Sequence, residues 1–275
     1  MHQYVGLIME IKNLFTNDTK ILDLTNYRIN TYNMPIDSRI RRDVMECWDS
    51  WYSKDNKLYF FKNFYDVHEQ DCTYRFINEL IGVKLAEYLK LDSIKYNIAK
   101  ADKEYGLASL NFHNRDNNYY FVRDLYLPLN SFNMKNLDRI RTRCRDNNNH
   151  QELVKEILKA VAIDIYMNQK DRTYSNIQFR KDKNGLHYAP AYDFEESFIN
   201  PRETTYESGL LRIDTNSRRA YENYPLLKIY LERLFDVRIT DTLEEIEDDY
   251  SINIPNKAKN YYRRFINERE RVIMK

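Results

Sequence analysis

The chain has 275 residues and a mass of 33.5 kDa, 43% of them hydrophobic and 31% charged, enough for one large domain or two lobes with a proper core. Its 43 basic and 42 acidic residues leave a net charge of +1, so no global field steers it to nucleic acid or to an anionic membrane. The 5 glycines include none between Gly6 and Gly82, which excludes a P-loop, a G-x-G-x-x-G turn and the usual glycine-rich kinase loop, and Cys47, Cys72 and Cys144 lack the spacing of a disulfide framework or a zinc site.

The first third reads as β-rich. Short β-branched and aromatic runs at Tyr4–Phe15, Ile21–Tyr32 and Val44–Tyr52 are separated by turn-like clusters. Lys54-Asp55-Asn56 predicts a hairpin turn between Asp49–Ser53 and a strand over Lys57–Lys62. A helix follows over about Thr73–Leu89, where Phe76, Ile77, Leu80, Ile81 and Leu85 make a wide apolar surface and Glu79 sits oddly within it. Tyr96–Ala101 and Gly106–Phe112 read as two strands, and Tyr119–Leu127 as a further run after a polar loop.

The second half reads as mostly helical. Gln151–Met167 repeats apolar residues every three or four positions, and Asn168–Asp171 breaks it. Ile177–Arg180 and Leu186–Ala189 predict a second hairpin, and helices are expected near Pro225–Phe235, Asp241–Asp248 and Pro255–Met274. The β-rich then α-rich order predicts an α+β fold of two lobes, a small β-rich lobe over 1–112 and a mainly helical lobe over 113–275. No apolar run approaches the ~20 residues that span a bilayer, and the N-terminal residues resemble no signal peptide. The expected location is the cytoplasm, with secretion as an effector by another route as the alternative.

The chemistry concentrates after the helix break. A polar loop presents Asp171, Asn176 opens a strand five residues later, and Asp193 ends the returning strand in Ala189-Pro190-Ala191-Tyr192-Asp193-Phe194. Phosphoryl transfer needs such a set: a carboxylate to orient or deprotonate the acceptor hydroxyl, and an amide–carboxylate oxygen pair for Mg²⁺. It also needs a cation on the other lobe, for which Lys62 is the candidate, with Glu79 as its ion-pair partner. Each has an ordinary reading too: Asp171 and Asn176 as caps or turn residues, Lys62 as a snorkelling strand lysine, Glu79 as a helix-surface residue. Glu195 and Glu196 either sit near the metal or face solvent.

These residues resemble the HipA-like kinase family, whose catalytic stretch looks like N-x-D-R/H-x-x-x-N, a hairpin, then A-P-x-Y/F-D. The resemblance runs from about Lys57 to Phe198, and the compact size is similar to that of the short, single-unit CtkA-type Ser/Thr kinases. It implies a two-lobed, protein-kinase-like fold. It also implies Asp171 as the catalytic Asp, Asn176 and Asp193 as Mg²⁺ ligands and Lys62 as the ATP-phosphate lysine paired with Glu79. The adenine-contacting hinge falls near Ala108–Phe112, with Ser109 and Asn111 as cofactor-binding residues. The glycine-containing phosphate loop is replaced by Asp37-Ser38-Arg39-Ile40-Arg41-Arg42.

The expected activity is therefore that of an ATP- and Mg²⁺-dependent kinase acting on Ser or Thr of a protein substrate. By the same resemblance the chain is toxin-like, with an antitoxin-like partner, and autophosphorylates at Ser38, Ser50 or Ser53. The alternatives are a pseudokinase that binds nucleotide, and a kinase of small molecules or lipids; nucleic-acid binding is the least favoured reading.

Overall fold

The computed structural model describes residues 11–28, 50–64, 72–112, 118–121, 142, 150–170, 172, 177–203 and 217–274. The N-terminal part is built on a five-stranded sheet of β1 (Leu22–Asp23), β2 (Ser50–Lys54), β3 (Lys57–Asn63), β4 (Tyr96–Ala101) and β5 (Glu104–Leu110), in the order β1-β4-β5-β3-β2. The β2–β3 hairpin closes on Asp55 and Asn56, both left-handed (φ 52° and 59°). Asp and Asn tolerate that region and suit the tight two-residue turn that matches strand twist.

Side chains alternate across a strand, so neighbours on β3 part company. Phe61 joins Leu24, Tyr52, Tyr59, Ala99 and Ala108 in a small core on one face. Lys62 comes out on the opposite face with its register partner Leu107, beneath helix α1 (Cys72–Tyr88). That helix is enclosed nearly all round: Thr73 and every residue from Arg75 to Val83 are buried, polar ones included. Gly106 lets β5 close on β3, since a Cβ there would lie 2.1 Å from the Lys62 carbonyl oxygen.

The C-terminal part holds a three-stranded sheet, β6 (Asn118–Phe121), β7 (Gln178–Asp182) and β8 (Gly185–Tyr188), in that order. It also holds helices α2 (His150–Met167), α3 (Ser217–Asn223), α4 (Pro225–Asp236), α5 (Ile239–Tyr250) and α6 (Asn256–Met274). One apolar core runs through both parts, from Ile98 and Leu107 of the sheet through Phe76 and Ile81 of α1 to Val161, Tyr166 and Phe265. Residues distant in sequence therefore share one rigid interior. Among the described residues no helix is long and apolar enough to cross a membrane.

The elements expected between Lys57 and Ala101, the second hairpin and the late helices appear within a few residues of their predicted bounds. The start differs. Residues Ile11–Leu14, expected within a strand, form a 3₁₀ turn, because Ile11 and Leu14, three apart, both turn fully into the core. Among its described residues, the run from Ile21 contributes the two-residue β1, which pairs with β4 in parallel. Helix α3 was not expected: it is short, and Tyr221 supplies most of its apolar signal.

Candidate active site

Three elements converge on Lys62. Its ammonium lies 2.5 Å from Glu79 Oε1 on α1 and 2.5 Å from Asp193 Oδ1, which follows β8. Burial opposes the Lys62 charge, but Asp193, Glu79 and Glu195 outweigh it and hold the group well above the ordinary lysine range. Burial also works to raise the Asp193 carboxyl, yet the attraction and hydrogen bond of Lys62, with Arg172 and Arg75 behind it, bring it below the usual range. Lys62 and Asp193 thus each favour the charged form.

Glu79 is wholly buried and does more than pair the lysine. Its Oε1 also accepts the Phe194 N–H at 3.0 Å, and its Oε2 accepts the Tyr96 hydroxyl at 3.2 Å. Tyr96 remains a donor because burial, then the Glu79 charge, pushes its phenol well up. The same helix grips the chain beyond Asp193. Asn78 Nδ2 donates to the carbonyls of Glu195 (2.8 Å) and Ser197 (3.0 Å), while Arg75 Nη2 reaches Glu195 at 2.7 Å and Glu196 at 3.1 Å. The two glutamates thus face this buried cluster. Burial, reinforced by Asp193 and Glu79 and opposed by Lys62 and Arg75, pushes the Glu195 carboxyl up to about 7.

Asp193 has φ 65°, a left-handed backbone that persists in a non-glycine residue where its surroundings impose it. Here they do. Gln169 Nε2 donates to the Asp193 carbonyl at 2.5 Å, and Arg172 Nη1 to the Tyr192 carbonyl at 2.6 Å. Phe194 lies against Gly82 so closely that a Cβ on that glycine would fall 2.1 Å from Phe194 Cγ. Arg172 stacks over the Phe194 ring at 4.9 Å and is bound through Nε and Nη2 to the buried Asp164 of α2.

Asp171 and Asn176, expected as base and metal ligand, lie outside the described residues, as do Ser38 and Arg39–Arg42. The chain on either side of Asp171 is fixed to the Tyr192–Glu196 stretch, by Gln169, by the Lys170 N–H on the Glu196 carbonyl at 2.9 Å, and by Arg172. Ser109 is buried on the same sheet face as Lys62, two residues beyond Leu107. Asn111 is half-buried just past β5, its N–H bonded to the Leu58 carbonyl at 2.8 Å. Ser50 lies on β2, and Ser53 is exposed on the same strand.

The structure therefore brings Lys62, Glu79 and Asp193 together and adds Arg75, Asn78, Tyr96, Gln169 and Arg172, which sequence reasoning missed. Asn78 carried the same signal as Glu79, a polar side chain inside an apolar helical run. Gln169 and Arg172 stood in the loop already singled out.

No protein-family model matches the sequence, and no curated protein matches it either. Among solved structures, the Helicobacter pylori proinflammatory kinase CtkA matches with a TM-score of 0.63 at 13% identity, over 93% of this chain and 96% of CtkA. A structure of the Shewanella oneidensis toxin–antitoxin system, HipA with HipB and operator DNA, matches with a TM-score of 0.54 at 12% identity, over 94% of this chain and 74% of the other. At such identities the likeness is one of fold, and the fold is the kinase-like, two-part α+β arrangement that the sequence predicts.

Proposed function

We propose that this protein binds ATP with Mg²⁺ and transfers the γ-phosphoryl group to a serine or threonine hydroxyl of a protein substrate. The observation that carries the reading is the buried Lys62–Glu79–Asp193 junction, which joins a strand, a helix and the end of a hairpin, as phosphoryl transfer requires. The shared fold with the kinase CtkA supports it. HipA is seen with HipB in a toxin–antitoxin system, which supports a toxin-like role and an antitoxin-like partner here.

The residues fit the cofactor. Four carboxyl groups, of Glu79, Asp193, Glu195 and Glu196, gather around Lys62 and Arg75, an excess of acid that a divalent cation offsets. Among the described residues no three His, Cys, Asp or Glu side chains are placed to hold a metal alone. Mg²⁺ takes one or two carboxylates and completes its shell with phosphate oxygens and water. Asp193 and Asn176 would hold it.

When bound, the metal nucleotide supplies the phosphoryl group and offsets the charge that develops on it. The chain's own residues do the rest. Lys62, kept charged and aimed by Glu79, binds the α- and β-phosphates. Asp171 accepts the proton of the acceptor hydroxyl as its oxygen bonds to the γ-phosphorus. The bond from that phosphorus to the β–γ bridging oxygen breaks, and ADP leaves.

The test combines thermal unfolding with label transfer from γ-labelled ATP to the protein itself and to a generic Ser/Thr acceptor. ATP with Mg²⁺ should raise the melting temperature of the wild type, because a ligand specific to the folded state must stabilise it. Asp193→Ala should abolish that rise and cut transfer about a hundredfold or more. No rise at millimolar ATP with Mg²⁺, or equal transfer by the variant, would overturn the reading.

A further inference from the structure

We propose that Glu195 is a selectivity gate: its carboxylate competes with nucleotide phosphate for Lys62, so the site takes metal-bound nucleotide in preference to free nucleotide. The inference rests on the reading that Lys62 receives phosphate. It starts from the donors of that lysine. An ammonium has three N–H groups. Two are used on Glu79 and Asp193 at 2.5 Å, which leaves one for an incoming ligand. Glu195 Oε2 stands 3.6 Å from Lys62 Nζ, too far for a good hydrogen bond and near enough for a strong charge interaction.

That oxygen is buried and accepts no hydrogen bond from the described residues, whereas Oε1 of the same carboxylate is 2.7 Å from Arg75. The carboxylate therefore bridges two cations unequally, fastened to Arg75 and leaning on Lys62. Its backbone cannot follow a ligand, because Asn78 holds the Glu195 carbonyl at 2.8 Å. Only the side chain can yield, and Arg75 retains it when it does.

The consequence is electrostatic. A bare polyphosphate approaching Lys62 meets Asp193 and Glu195 together, in a setting where burial leaves little water to screen them. A metal-bound polyphosphate brings the cation that offsets both. Glu196 provides the internal control: it shares Arg75 at 3.1 Å and adds the same charge nearby, but its contact is with Arg75.

The experiment is isothermal titration of ATP and of inorganic tripolyphosphate, each with and without Mg²⁺, in one buffer throughout. Wild type, Glu195→Gln and Glu196→Gln are compared. Glu195→Gln should bind metal-free ATP and metal-free tripolyphosphate about tenfold tighter than wild type. Its affinity for the Mg²⁺ forms should change by less than about threefold, and Glu196→Gln should stay within about twofold throughout. The gate is overturned if Glu195→Gln binds metal-free tripolyphosphate no tighter than wild type, or if Glu196→Gln gains as much, which would make the effect a general field. Tripolyphosphate separates this from the kinase reading. Tighter tripolyphosphate binding by Glu195→Gln, with no ATP binding by any form, would keep the gate and remove ATP as the ligand.

Discussion

Two buried ionic clusters meet at the Tyr192–Phe194 turn, and they are built to opposite ends. On one side Arg172 and Asp164, each with only 2% of its side chain exposed, form a closed pair. Arg172 spends Nε and Nη2 on the carboxylate and Nη1 on the Tyr192 carbonyl, so one cation meets one anion and the guanidinium has partners on every nitrogen. On the other side Lys62 and Arg75 face four carboxyl groups, and Glu195 is pushed up to about 7. A raised pKa does not tell the two apart: after burial is outweighed, Asp164 lifts Arg172 as Asp193 and Glu79 lift Lys62. Charge balance does. The neutral pair has nothing left to offer a ligand, and the acid-rich one does.

The comparison breaks first on stability. Asp164→Ala strands a buried guanidinium and should cost about 3–5 kcal/mol in urea unfolding. Asp193→Ala removes one member of an excess and leaves Lys62 with Glu79, so about 1–2 kcal/mol is expected. Equal losses would mean that both clusters serve the fold and that the imbalance around Lys62 carries no functional meaning.

Gly82→Ala sharpens the distinction, since it changes no charge. The new Cβ would press on Phe194 at Cγ and Cβ, 2.1 and 2.7 Å away, and must push the ring and with it Asp193. Overpacking of this kind costs about 1–3 kcal/mol. Affinity for ATP with Mg²⁺ should fall alongside stability, because the displaced residue is the candidate metal ligand. Loss of stability with unchanged affinity would show that Asp193 is not held through Phe194.

The sequence carried one half of this picture better than the other. Glu79 was legible because a carboxylate inside an apolar helical run must find a partner, and a strand lysine lay nearby. Asp164, in Val161-Ala162-Ile163-Asp164-Ile165, carries the same signal without revealing its partner, which the structure shows to be Arg172 eight residues on. What stayed hidden is what α1 does to the far chain. Asn78 reaches carbonyls 117 and 119 residues away, and a backbone acceptor has no residue type to betray it. The start of the chain misled for a related reason. Ile11 and Leu14 read as strand residues until the core that captures them, assembled from distant elements, is in view.

The smallest effect tests how far the acid-rich cluster extends. Helix α6 stands behind α1, and Tyr262, fully buried, donates its hydroxyl to Asn78 Oδ1 at 2.9 Å. Asn78 turns its other end to the Glu195 and Ser197 carbonyls, so a chain of contacts runs from the C-terminal helix to the turn after Asp193. Tyr262→Phe keeps the ring in its aromatic nest with Phe198 and Tyr74 and deletes only the hydroxyl. About 1 kcal/mol of stability should be lost. The amide of Asn78 keeps both carbonyl acceptors in the variant, so affinity for ATP with Mg²⁺ should change less than about twofold if α6 merely props the helix. A tenfold loss of affinity at the same small cost in stability would make Tyr262 a positioning residue, and the cluster around Lys62 would then reach the C-terminal helix.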